Sequence, residues 1–113
     1  MSKLNLIKPE GVILNIGGTD YNLVYDFNAF AELEKQFGDV ETAFGALSNS
    51  PKFSDIMKIV KAGLTSNDQV ISDKELGKYL TPKNLADVVL KINEALNQAM
   101  PKQDEKDSKN QKN

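Results

Sequence analysis

The sequence predicts an α+β fold in one domain, in which a β-hairpin or a three-stranded antiparallel meander precedes four to five helices. Two observations predict it. Apolar and aromatic residues alternate up to residue 25, as a half-buried strand requires, and from residue 27 they recur at helical spacing. The chain has 113 residues, the size of one typical domain. We expect residues 1–100 to form this domain. Residues 101–113 are predicted to be a disordered polar tail, since no apolar residue follows Lys102.

Two short segments predict the hairpin. The first, from Val12 to Ile16, is rich in β-branched residues, and Gly17-Gly18 after it permits the positive φ angles of a tight turn. A second strand is marked by alternation onto one face at Tyr21, Leu23 and Tyr25. The segment from Leu4 to Ile7 is predicted as a further strand, because the turn-forming residues 8–11 set it apart.

The helices are predicted from apolar spacing and from capping residues. Asp26 is a good N-cap for a first helix that would end at Gly38, where glycine permits the left-handed C-terminal conformation. Its apolar stripe is predicted at Phe27, Phe30, Leu33 and Phe37. Further helices are expected from Val40 to Leu47, from Phe53 to Leu64, from a capping box at Ser72 to about Leu80, and from Thr81-Pro82 to about Met100.

Composition argues against an enzyme and against a cofactor. The sequence contains no Cys and no His. It therefore lacks thiol nucleophiles, the commonest general base near neutral pH and the commonest zinc ligands. Neither a phosphate-binding glycine motif nor an Asp-x-Asp-x-Asp-Gly calcium loop is present. We expect a protein without catalytic, metal-binding or cofactor-binding residues.

Charge and hydropathy argue against nucleic acid and membrane partners. The formal net charge is −2, and every one of the basic residues is Lys. Proteins that bind nucleic acid usually carry a basic surface rich in Arg, which forms two hydrogen bonds with guanine or phosphate. The sequence has no run of about 20 apolar residues, the length of a membrane span. We expect a cytoplasmic protein.

Three residues are candidates for binding another protein. Ile13 and Val24 lie on the strand faces opposite the predicted core. If the helices cover only one side of the sheet, the two residues form an exposed apolar surface beside open strand edges. Such edges also permit self-association by strand addition. The alternative is that Leu4 to Ile7 or a helix covers Ile13 and Val24. Glu34 falls on the predicted apolar stripe of the first helix. A buried carboxylate there would need a polar partner inside the protein, and the alternative is that Glu34 contacts another protein.

Residues 17–34 resemble the opening of the tail assembly chaperones of long-tailed phages and of prophages in low-GC bacteria. That family has a hairpin of the form Gly-Gly-x-x-Tyr-x-Leu, followed by a helix of the form Asp-Phe-Asn-Ala-x-x-x-Leu-Glu. The sequence matches these forms at Gly17, Gly18, Tyr21, Leu23, Asp26, Phe27, Asn28, Ala29, Leu33 and Glu34. A later segment, from Ile59 to Leu64, is similar to the Ala-Gly-Leu segment of the family.

The resemblance implies a viral protein that binds other proteins while a tail is built. Such chaperones bind the tape-measure protein, keep it soluble and help to recruit tail tube subunits. They work in the host cytoplasm and are generally absent from the mature virion. The alternative is a structural protein of the virion, such as a tail completion or connector subunit, which would be present in purified particles.

Overall fold

The structure is a computed structural model that describes residues 4–48 and 51–100. It confirms the α+β prediction, because one antiparallel hairpin precedes five helices and a short 3₁₀ turn. The elements are β1 (Val12–Ile16), β2 (Thr19–Leu23), α1 (Phe27–Phe37), α2 (Val40–Ser48), α3 (Phe53–Gly63), the 3₁₀ turn (Thr65–Asn67), α4 (Asp73–Gly77) and α5 (Leu85–Ala99). The predicted disordered tail, residues 101–113, lies outside the described residues.

The hairpin turn follows the sequence prediction. Gly17 and Gly18 both have positive φ angles, 62° and 90°. This is the requirement of the two-residue type I′ turn, whose twist matches that of the flanking strands. The turn pairs Ile16 with Thr19 and sets the register along the hairpin to Val12 opposite Leu23.

The predicted third strand is absent from the described residues. Leu4 to Ile7 does not pair with β1, and the side chains of Leu4, Leu6 and Ile7 are 84–86% exposed. The backbone bends at Gly11, just before β1, so residues 4–7 do not run beside that strand. The Asn22 side chain donates a hydrogen bond to the Glu10 carbonyl (3.1 Å), and Gly11 has a φ of 85° that bends the backbone. The sheet consequently has two strands.

The ends of α1 were predicted correctly, and its predicted apolar stripe faces the core except at Phe27. The Asp26 carboxylate accepts a hydrogen bond from the Ala29 N–H (3.1 Å), and the Gly38 N–H closes the helix on the Glu34 carbonyl (2.8 Å). The buried side chains are Ala29 and Leu33, whereas Phe27 is 90% exposed. Phe30 and Phe37 are partly buried and pack against the core, so Phe27 is the one residue of the predicted stripe that lies in solvent.

Helix α3 occupies the centre of the core. It contacts all four other helices and β2, and its buried residues are Ile56, Ile59, Val60, Ala62 and Gly63. Tyr25 packs against it with its side chain fully buried, and the Tyr25 hydroxyl donates a hydrogen bond to the Ile59 carbonyl (2.8 Å). Phe53, the first residue of the helix, is 53% exposed.

The chain between α4 and α5 departs from the prediction at both ends. The Ser72 hydroxyl accepts a hydrogen bond from the Glu75 N–H (3.0 Å), as its capping role requires, but α4 ends at Gly77 instead of near Leu80. The Asn84 side chain then accepts from the Thr81 N–H (2.9 Å) and donates to the Tyr79 carbonyl (2.7 Å). These bonds hold a turn where the sequence suggested a helix, so α5 begins at Leu85.

Candidate functional site

Ile13 lies where the sequence placed it, on the outer face of the hairpin. Its side chain is 55% exposed, opposite Asn22 on β2. The next outward pair is polar, because the Asn15 side chain donates a hydrogen bond to the Asp20 carboxylate (2.7 Å). Ile13 is therefore a single apolar side chain on an otherwise polar face, and the prediction that it is exposed is confirmed.

Of the two alternatives for Val24, exposure is wrong, because the residue is covered. Val24 follows the last residue of β2, and its side chain is only 4% exposed. Its N–H donates a hydrogen bond to the Gly63 carbonyl (2.8 Å), which fixes the chain beside the C-terminal end of α3. On the other side Gly11 is so close that a β-carbon there would lie 2.7 Å from Val24 Cγ2. Val24 is thus a packing residue and adds nothing to the surface.

Glu34 does not lie on a buried stripe. It is exposed on α1, and no hydrogen bond joins its side chain to another described residue. Glu34 follows Phe27 by seven positions, two helical turns, so both lie on one helix face together with the exposed Ala31. We call Phe27, Ala31 and Glu34 the α1 outer face. A role for Glu34 in contacting another protein stays a prediction.

A groove of about 470 Å³ lies on a different side of α1. Its walls come from α1, from the C-terminal half of α3 and from the chain between α3 and α4. Apolar atoms are supplied by Ala62, Leu64 and Ile71, which are largely buried, and by Val70, which is 88% exposed. The polar and charged residues of the groove are Glu32, Gln36, Lys58, Lys61, Thr65, Asp68, Gln69 and Asp73.

The charged residues of the groove are held by exposed interactions. Lys61 Nζ forms an ion pair with Asp73 Oδ1 (2.6 Å), and Lys58 Nζ lies 5.7 Å from the centre of the Phe37 ring. The Gln36 side chain donates a hydrogen bond to the Glu32 carboxylate (3.0 Å). Exposed pairs of this kind contribute little to stability, so their side chains can rearrange at little cost in free energy.

The wall that carries Val70 is fixed to the sheet by Gln69. The Gln69 side chain accepts a hydrogen bond from the Asn22 N–H (2.8 Å) and donates one to the Asn22 carbonyl (2.9 Å). This amide occupies the outer edge of β2 as a neighbouring strand would. Asp68, next to it, takes the left-handed conformation with a φ of 55°, which turns the chain into this contact. Val70 is consequently presented to solvent by a segment whose position is set by two hydrogen bonds.

Sequence reasoning did not identify Val70. The only signal was an apolar pair, Val70 and Ile71, in a polar loop before the Ser72 cap. Ile71 is buried and Val70 is exposed, a division that depends on how the loop lies on α3. A pattern in one loop cannot show this.

The titratable residues with shifted pKa values serve the fold. Burial raises the pKa of the Tyr25 hydroxyl well above its usual range, and the hydrogen bonds from Thr42 lower the pKa of Asp39 at the start of α2. Neither residue lines the groove. Within residues 4–48 and 51–100, no three Asp or Glu residues form a group that could hold a metal ion. No helix in this part of the chain is long and apolar enough to cross a membrane.

The comparisons with known proteins give no relative. No protein-family model, no curated protein and no solved structure matches the chain. The resemblance of residues 17–34 to tail assembly chaperones therefore rests on the residues themselves.

Proposed function

We propose that this protein is a non-enzymatic tail assembly chaperone, which binds the tape-measure protein, keeps it soluble and helps to recruit tail tube subunits. The observation that carries the proposal is the groove beside α1, with Val70 exposed at its edge. Val70 is 88% exposed although it stands between ordered contacts, the Gln69 amide and the buried Ile71. Together with the apolar atoms of Leu64 and Ile71 in the same groove, Val70 supplies a continuous apolar surface, and such a surface favours cover by another protein.

The groove suits a helical partner with weak individual contacts. A tape-measure protein is long and largely helical by the family resemblance, so it presents apolar stripes that need cover before the tube forms. A groove of about 470 Å³ accepts a few side chains of such a stripe and not a whole helix. Covering one valine contributes about 1.5–3 kcal/mol, so one contact is weak and many copies along one chain bind together through avidity.

Recruitment of tail tube subunits requires a second surface that stays free when the groove is filled. The α1 outer face meets this requirement, since Phe27 is 90% exposed and neither Phe27 nor Glu34 lines the groove. The two surfaces lie on different sides of one helix. A tape-measure segment and a tube subunit would therefore be brought together by α1.

The test is co-expression with the tape-measure protein of the same genome. Solubility, co-purification and the number of copies per tape-measure chain are measured. We expect the tape-measure protein to become soluble and to carry many copies. Val70→Asp should reduce co-purification at least about tenfold, since a charge would have to be buried at the contact. Leu90→Asp is the matched control, because Leu90 is also exposed (56%) but lies on α5 outside the groove.

Two results would contradict the proposal. Equal loss of binding with Val70→Asp and Leu90→Asp would remove the groove as the contact surface. An insoluble, unbound tape-measure protein, with this chain present in purified particles, would favour the virion structural protein instead.

A further inference from the structure

We propose that two copies of this protein associate by exchanging an extended segment, in which residues 4–7 of each copy add a strand to the outer edge of β1 of the other. We call residues 4–7 the arm. The inference concerns an edge that is separate from the groove and does not depend on the proposed function.

The hairpin register determines which backbone groups face outward. In a two-residue hairpin the residues flanking the turn, here Ile16 and Thr19, form a hydrogen-bonded pair, and such pairs alternate along the ladder. Leu14 and Val12 thus bond to β2. The N–H and C=O groups of Ile13 and Asn15 point away from β2, toward the outer edge of β1.

Two glutamine side chains already show how the sheet edges are satisfied. Gln98 of α5 accepts a hydrogen bond from the Gly11 N–H (2.7 Å) and donates one to the Gly11 carbonyl (3.1 Å). Gln69 makes the same two bonds with Asn22 on the opposite edge. Each amide imitates one residue of a neighbouring strand. Among the described residues, none makes such bonds with the backbone of Ile13 or Asn15.

The arm has the properties of the missing strand. Leu4, Asn5 and Leu6 alternate apolar and polar, and the arm carries no charge. Its apolar side chains are 84–86% exposed, and it has no secondary structure. A strand of this length spans about 13 Å, enough to bond at both Ile13 and Asn15. An unpaired edge with an exposed isoleucine beside it is a template for such a strand.

The arm is prevented from pairing with β1 of its own chain. A strand folding back from residues 8–10 would have to pass beside Gly11, and the Gln98 amide occupies that position. The hydrogen bond from the Asn22 side chain to the Glu10 carbonyl directs the connection across the hairpin. Helix α5 contacts β1 and pairs with Gly11 just before it, whereas Ile13 and Asn15, farther along the strand, are exposed. In the proposed dimer the arm of the second copy approaches β1 at these two residues. The exchange is reciprocal and closes as a symmetric dimer.

The first experiment follows the mass of the full chain by sedimentation over a dilution series. We expect a dimer that dissociates on dilution. Leu6→Pro should raise the dissociation constant at least about tenfold, because proline in the added strand removes a donor. Leu6 is 86% exposed, so the substitution leaves the folded body intact. Val70→Asp is the control and should leave the dimer unchanged, which separates this surface from the groove. A wild-type monomer at every concentration, or a Leu6→Pro dimer as stable as wild type, would overturn the proposal.

The second experiment identifies which edge the arm occupies. The chain has no cysteine, so two can be placed without a background. Leu6→Cys and Ile13→Cys are made in separate chains, mixed and oxidised, and we expect a disulfide-linked dimer. If the arm pairs with its own edge, the two single-cysteine chains form no linked dimer with each other, and that result would overturn the exchange.

Discussion

Helices α1 and α3 have the same length, 11 residues, but very different surroundings. Helix α3 buries five residues and contacts each of the other helices, whereas α1 buries only Ala29 and Leu33 and leaves Phe27 90% exposed. Both are amphipathic in sequence. Amphipathic spacing therefore predicts a helix, whereas the number of elements packed around the helix decides how much of its surface stays exposed.

The largest expected effect comes from removing a buried side chain of α3. Ile56 is fully buried, so Ile56→Ala should lower the free energy of unfolding by about 2–5 kcal/mol through the lost burial and the cavity left behind. Phe27→Ala on α1 deletes a larger side chain but should change stability by less than about 0.5 kcal/mol, because Phe27 is in water. Urea denaturation followed by circular dichroism measures both. Similar losses in the two variants would show that the comparison is wrong.

An intermediate effect is expected at the end of α3 that meets Tyr25. A methyl group at Gly63 would lie 2.8 Å from Tyr25 Cζ and 2.9 Å from Leu23 Cδ2. Gly63→Ala should therefore destabilise the protein by about 1–3 kcal/mol through overpacking. Gly45→Ala in α2 is the matched control, since nothing lies within 4 Å of its added carbon. It should stabilise the protein by about 0.5–1 kcal/mol. If Gly63→Ala also stabilises the protein in thermal unfolding, the close packing of α3 against β2 is refuted.

The smallest expected loss of stability comes from removing the Tyr25 hydroxyl, which donates a hydrogen bond to the Ile59 carbonyl in α3. This is also the loss that depends on pH. Tyr25→Phe should cost about 1–2 kcal/mol near neutral pH, because the Ile59 carbonyl loses its donor. Burial raises the pKa of Tyr25 above the usual value near 10. Above pH ~10 the unfolded state releases this proton while the folded state keeps it, so the contribution of Tyr25 to stability falls with rising pH.

Unfolding of wild type and Tyr25→Phe between neutral pH and pH ~11 tests this coupling. The wild-type curve should descend more steeply above pH ~10, by up to about 1.4 kcal/mol per pH unit, and so approach the curve of the variant. Parallel curves would mean that the hydroxyl ionises as easily in the folded protein as in the unfolded chain.

The sequence predicted those features that depend on residues close together in the chain. The Gly17-Gly18 turn, the Asp26 cap and the Ser72 cap all form through contacts within three or four residues. Each is set by backbone conformation or by one short hydrogen bond. The exposed position of Ile13 also followed from strand alternation, because the hairpin register fixes it.

The candidate surfaces depended on contacts between residues far apart. Val24 is buried because its N–H meets the Gly63 carbonyl. Gly11, just before β1, is paired with the side chain of Gln98, 87 residues away. The Val70 wall is set by Gln69, which reaches Asn22 across 47 positions. No local pattern contains this information.

The α+β order, the hairpin turn and the helix caps could be read from the chain alone, since backbone preferences and short-range hydrogen bonds suffice for them. The spacing also placed Leu33 in the core, but the packing around α1 is what left Phe27 and Glu34 in solvent. The exposure of Val70 likewise depends on how its loop packs on α3. The physical reason is that burial depends on every element that packs around a residue, whereas a turn or a cap depends on its immediate neighbours in the chain.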